Sequence, residues 1–143
     1  MNPERRAFLK KACGTCAALL TLGAIVPAVQ SCAPLMSIRT DVKSGDVQVS
    51  KLLFTAENKL VLIRNGSSEF DIAVVQLAEN SFKAFEMQCS HQANPLVATR
   101  TGFFCNAHGS SFTLEGKVKN PPATASLREY PCRLDADLVT VTL

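Results

Sequence analysis

The chain has 143 residues, enough for one compact domain and little more. Hydrophobic residues make up 47% and charged residues 19%, a balance that excludes a disordered chain. The formal charge of +3 belongs to the amino terminus: from Cys32 onward eleven Lys and Arg balance eleven Asp and Glu, so the body lacks the basic field of a nucleic-acid binder.

Residues 1–32 read as a targeting segment or membrane anchor. Arg5, Arg6, Lys10 and Lys11 precede an apolar stretch from Ala12 to Val29 that contains Gly23 and Pro27. Arg5-Arg6-Ala7-Phe8-Leu9-Lys10 resembles the twin-arginine export signal, with Glu4 where Ser or Thr is usual. That resemblance implies export of an already folded protein, whose cofactor can be inserted in the cytoplasm. Val29-Gln30-Ser31-Cys32 resembles a loose bacterial lipobox, with Gln30 outside the strict pattern. It implies a lipidated Cys32 that tethers the chain on the periplasmic side of a membrane. Two alternatives stay open: an uncleaved helical anchor over the 18 residues 12–29, at the short end for spanning, and a soluble periplasmic protein. Cys13-Gly14-Thr15-Cys16 fits C-x-x-C, but within an apolar signal no fold positions it, so it reads as ordinary signal sequence.

Residues 33–45, with Pro34, Ser37, Ser44 and Gly45, read as a linker, and 46–143 as the domain proper. Strand-like segments follow one another. Val47–Phe54 is apolar and β-rich, and Leu60-Val61-Leu62-Ile63 is a buried run stopped by Asn65-Gly66. Asp71–Leu77 carries Ile72-Ala73-Val74-Val75, Phe82–Met87 alternates, and Leu138–Thr142 reads as a closing strand. Short strands with close turn signals predict an all-β sandwich or barrel. No helical period is visible after residue 32.

Two boxes carry the chemistry. Cys89-Ser90-His91 is C-x-H, Cys105-Asn106-Ala107-His108 is C-x-x-H, and thirteen residues separate His91 from Cys105. The chain has two histidines, each within three residues of a cysteine, a pattern of metal ligands. Structural zinc usually takes a cysteine pair and then a histidine pair, whereas here each box mixes both. A catalytic cysteine with a histidine base would not explain two equivalent pairs.

C-x-H…C-x-x-H-G-S-x-F, with Gly109, Ser110 and Phe112 and then Gly116 and Pro121-Pro122-Ala123, resembles the Rieske iron–sulfur family over most of 47–143. The resemblance implies an antiparallel β-sandwich or barrel with a small cluster-binding part at about 87–123, and one [2Fe–2S] cluster. It implies that Cys89 and Cys105 bind the inner iron and His91 and His108 the outer. It also implies that the Ser110 hydroxyl bonds a cluster sulfur and that the Pro loop covers one side. High-potential members join an extra cysteine from each loop in a disulfide. The aligned positions are Asn94 and Ala107, so no such clamp is expected. Phe112 stands where those members carry Tyr.

What the resemblance implies in function is a one-electron carrier, or a non-catalytic small subunit of a respiratory oxidoreductase, at the outer face of a membrane. Its partners would be redox proteins: a cytochrome, a quinol-oxidising complex or the large subunit of a molybdenum oxidase. The alternative is a Rieske ferredoxin serving an oxygenase, which fits the absent disulfide but normally works in the cytoplasm. A complete oxygenase needs a further iron site, for which this chain has no spare histidine. Cys132 reads as a small buried strand residue, or as a disulfide partner of Cys32. Phe103 and Phe104 read as core or as a shield over the site. Gly109 and Gly116 are expected in tight turns.

Overall fold

The structure is a computed structural model that describes residues 35–40, 45–66 and 68–143. The expected export signal, Cys13, Cys16 and Cys32 lie outside the described residues.

The described residues form three sheets. The central one has five strands, β1 (Met36–Thr40), β3 (Leu60–Asn65), β4 (Ile72–Ala78), β5 (Ser81–Glu86) and β10 (Glu129–Tyr130), in the order β1-β3-β4-β5-β10. A three-stranded sheet orders β11 (Cys132–Asp135), β12 (Leu138–Thr142) and β2 (Asp46–Ser50). A four-stranded sheet orders β6 (Val97–Thr99), β7 (Gly102–Phe104), β8 (Ser111–Phe112) and β9 (Val118–Asn120). No helix among the described residues is long and apolar enough to cross a membrane.

The central sheet is covered on both faces, which is why its strands read as continuous apolar runs. Val61, Ile63, Ile72, Val74 and Ala84 pack with Val47, Val49, Val139 and Val141 of the three-stranded sheet. Leu60, Ala73, Val75, Phe85 and Met87 face the other way, onto Phe103, Phe112, Leu127, Cys89 and Cys105. Adjacent residues therefore enter different cores, as the period of two requires. Phe85 and Phe103 meet edge to face with ring centroids 6.1 Å apart. Each such ring, buried almost completely, is worth roughly 1.5–3 kcal/mol of apolar transfer. The second core thus holds both site cysteines against a rigid sheet.

The all-β expectation holds, with differences in detail. Strand pairing is antiparallel except that β1 runs parallel to β3, Met36 opposite Val61 and Thr40 opposite Asn65. β1 lies inside the stretch that reads as a linker, because a half-exposed edge strand shows little alternation. The expected strand Val47–Phe54 is divided into β2 and a single 3-10 turn over Lys51–Leu53, in which Leu52 N–H donates to Ser50 Oγ.

Candidate metal centre

Three segments build the site. The first, residues 87–96, leaves β5. Met87 N–H donates to Asp71 O and Leu96 N–H to Met87 O, each at 2.9 Å, and Cys89 N–H donates to Asn94 O at 2.9 Å. This tight return turns Cys89 inward, 3% exposed, and leaves His91 exposed.

The second segment, residues 105–110, closes on itself. Cys105 N–H donates to Ser110 O at 2.8 Å and Gly109 N–H to Cys105 O at 3.0 Å. Gly109 has φ +82°, the left-handed region that glycine enters without steric cost. Cys105 and Ser110 end up buried, and His108 between them is exposed.

The two boxes converge. The Cys89 sulfur meets the side chains of Cys105 and Ser110. The rings of His91 and His108 stand edge to face, centroids 5.1 Å apart at 88°. Burial pushes the Cys89 thiol up, but N–H groups of His91 and Gln92 with the Cys105 and Ser110 side chains outweigh it. The thiol sits below its ordinary range. Among the described residues no three His, Cys, Asp or Glu side chains gather about one point. The grouping is instead two and two, thiols inside and imidazoles outside, a donor set suited to a pair of bridged irons with two protein ligands each.

The third segment, residues 121–127, is stitched to both boxes by serine hydroxyls. Ser90 Oγ donates to Ala125 O at 2.6 Å. Ala123 N–H donates to the buried Ser110 Oγ at 3.0 Å. Leu127 N–H donates to Gly116 O at 2.9 Å, and its side chain enters the core that holds both cysteines. The Pro121–Pro122 peptide is cis.

All five residues singled out in the sequence for the site are thus brought into one region. Phe103 and Phe104 part ways: Phe103 is core and Phe104 is 40% exposed. The Cys132 thiol is free and donates to Phe82 O at 3.0 Å. Sequence reasoning gave no role to Ser90. Its one signal is a small hydroxyl residue between Cys89 and His91, which by itself specifies nothing.

A mostly antiparallel β protein that brings a Cys-x-His and a Cys-x-x-His loop together in this way has the plan of a small iron–sulfur protein. The family model of the Rieske [2Fe-2S] domain matches residues 39–131, and the chain belongs to that family. The domain implies one [2Fe–2S] cluster. The cytochrome b6-f complex iron-sulfur subunit of Chlorobaculum thiosulfatiphilum is 23% identical over 149 residues, covering 97% of this chain and 75% of the relative. Among solved structures, a chain of a hyperthermophilic respiratory Complex III has TM-score 0.52 at 15% identity, covering 96% of this chain and 99% of that one. A chain of the oxygenase–ferredoxin complex of carbazole 1,9a-dioxygenase also has TM-score 0.52, at 18% identity, covering 68% and 93%. At these identities the two structures speak for the fold.

Proposed function

We propose that this protein is an exported, membrane-associated one-electron carrier in which Cys89 and Cys105 hold the inner iron of the [2Fe–2S] cluster and His91 and His108 the outer. The observation that carries the reading is the division of the donor set: both thiols buried and in contact, both imidazoles exposed and in contact. When bound, the cluster supplies a site that gains and loses single electrons at a potential above that of all-cysteine clusters.

The chain's own residues do the rest. The buried sulfurs keep water from the inner side, and the exposed imidazole edges put the outer side within reach of a partner. Ser110 offers its hydroxyl to sulfur and accepts from Ala123 N–H, so the third segment is fixed relative to Cys89. No cysteine stands at Asn94 or Ala107, so no disulfide clamps these loops.

Export through Arg5-Arg6-Ala7-Phe8-Leu9-Lys10 and lipidation at Cys32 complete the proposal. The likeness to a cytochrome b6-f complex subunit supports a partner within a membrane redox complex: a quinol-oxidising subunit, a cytochrome or a molybdenum oxidase large subunit. A second reading, a ferredoxin serving an oxygenase, is favoured by the absent loop cysteines and by the fold likeness to the carbazole dioxygenase complex. The export motif favours the first.

The test is reduced-state EPR on matured full-length protein. Expected is a mixed-ligand signal of low average g that His108→Ala abolishes. Zinc alone on metal analysis, or an unchanged spectrum in His108→Ala, would overturn the ligand assignment. Fractionation of cells then separates the two readings, membrane association supporting the first and a soluble cytoplasmic pool the second.

A further inference from the structure

Glu86 ends β5, three residues before Cys89, and its carboxylate is mostly hidden, with the side chain 12% exposed. A carboxylate so placed is costly unless donors satisfy it. Two do. Tyr130 Oη donates to Glu86 Oε1 at 3.0 Å, and Arg128 Nη1 lies 3.6 Å from the same oxygen. The Arg128 guanidinium also rests 5.1 Å from the centroid of the Tyr130 ring. Beneath these side chains, Glu86 N–H donates to Arg128 O at 3.0 Å.

We infer that Glu86, with Arg128 and Tyr130, is a positioning residue for the cluster loops: it clasps the strand that delivers Cys89 to the strand that leaves residues 121–127. The inference rests on the cluster reading above. β10 is short, with register pairs to β5 only at Glu129–Phe85 and Tyr130–Ala84. The Lys83–Glu129 ion pair, 2.7 Å, also crosses between the two strands, and the clasp adds ties at the end of β5 from which residues 87–96 depart. From there a continuous chain of contacts leads to the ligands. Leu127, next to Arg128, packs in the core with Cys89 and Cys105. Ala125 O and Ala123 N–H are bonded by Ser90 and Ser110, and Ser110 also touches the Cys89 sulfur. A slip at the clasp therefore changes the surroundings of Cys89 without touching a ligand.

The test uses full-length holoprotein with Glu86→Ala, Glu86→Gln and Tyr130→Phe. Hydrogen exchange by mass spectrometry compares peptides over 121–127 with peptides over 72–78, and reduced-state EPR reads the g-values. Glu86→Ala is expected to speed exchange over 121–127 by about tenfold with 72–78 unchanged, and to shift or broaden the g-values. Glu86→Gln keeps an acceptor for Tyr130 Oη and is expected to restore most of both. Should Glu86→Ala fail to fold, Tyr130→Phe removes one bond of the clasp and is expected to give the same selective exchange at smaller size. Equal acceleration in both regions, or no change in either, would sink the inference. Wild-type protein without a mixed-ligand signal would sink the cluster reading instead, while the exchange comparison still judges the clasp.

Discussion

Ser90 Oγ and Ala125 O are 2.6 Å apart although they lie 35 positions apart in the chain. The bond pins the residue between Cys89 and His91 to the segment that lies beside both boxes. Its counterpart, Ala123 N–H to Ser110 Oγ at 3.0 Å, is buried. Burial sets the relative weight of the two. Losing the exposed bond lets water replace it, at a cost of about 0.5–1.5 kcal/mol. Losing the buried acceptor strands an N–H, at about 1–3 kcal/mol. Denaturant titration of Ser90→Ala and Ser110→Ala is expected to rank Ser110→Ala as the more damaging. The reverse order would show that the exposed tether is the stronger one.

Gly116 and Gly45 form a matched pair. Both have positive φ, +76° and +81°. A Cβ at Gly116 would lie 2.5 Å from Phe85 Cε1, while at Gly45 it meets nothing within 4 Å. Gly45→Ala is expected to lose only backbone strain, about 1–2 kcal/mol. Gly116→Ala adds overpacking of about 1–3 kcal/mol against a ring in the cysteine-bearing core. Thermal melts followed by the visible absorbance of the cluster would check this, with equal losses counting against the packing argument.

Tyr130 gives an alkaline signature. Burial raises its phenol above the ordinary value, and the bond to Glu86 with that residue's charge adds to it. The folded state therefore holds the proton more tightly than the unfolded chain. The stabilisation is complete below the unfolded phenol pKa of about 10 and is lost as pH rises through the folded value. Stability measured from neutral to strongly alkaline pH is expected to fall more steeply in wild type than in Tyr130→Phe. Parallel curves would contradict it.

Phe112 is 1% exposed and packs in the same core as Cys89 and Cys105. With Phe there, no side-chain hydroxyl at this position is available to a cysteine sulfur, and in the proposed cluster that would stabilise the reduced form less. A redox titration is expected to place the protein in the lower half of the Rieske span of about −150 to +300 mV, with Phe112→Tyr moving it upward. A wild-type value near the top of the span would overturn this.

Residues 89–99, 101–114 and 120–127 contain no Asp, Glu, Lys or Arg, and the exposed His91 and His108 lie among them. Oxidation of the reduced protein by anionic ferricyanide is expected to change only a few-fold as salt rises, because no charged side chain lies in the runs that carry the imidazoles and the reduced cluster adds a single negative charge. Reduction of the oxidised protein by cationic hexaammineruthenium(II) is expected to behave alike. Ala107→Glu, beside His108, should introduce salt effects of opposite sign for the two probes. Strong opposite effects already in wild type would refute a neutral tip.

The pairing of the two segments was legible because two mixed Cys–His boxes are chemically unusual, and the structure brings them together. The central strands were legible because burial on both faces leaves unbroken apolar runs such as Leu60–Ile63 and Ile72–Val75. The four-stranded sheet and the edge strand β10 were not. β8 and β10 have two residues each, too short to show a period, and loop closures place them. β1 escaped notice because an edge strand needs little apolar surface. The Glu86 clasp was out of reach for another reason: it joins residues 42 and 44 positions away, and nothing local announces the pairing.

β1 also determines how the domain bears mechanical load. Its five residues lie in parallel register along the outer edge of β3. A pull along the strand axis from the amino-terminal side must slide all five register pairs together, because shear spreads force over the ladder where peeling would break one rung at a time. Tension delivered that way enters the central sheet at β3, two strands away from β5, from which residues 87–96 depart.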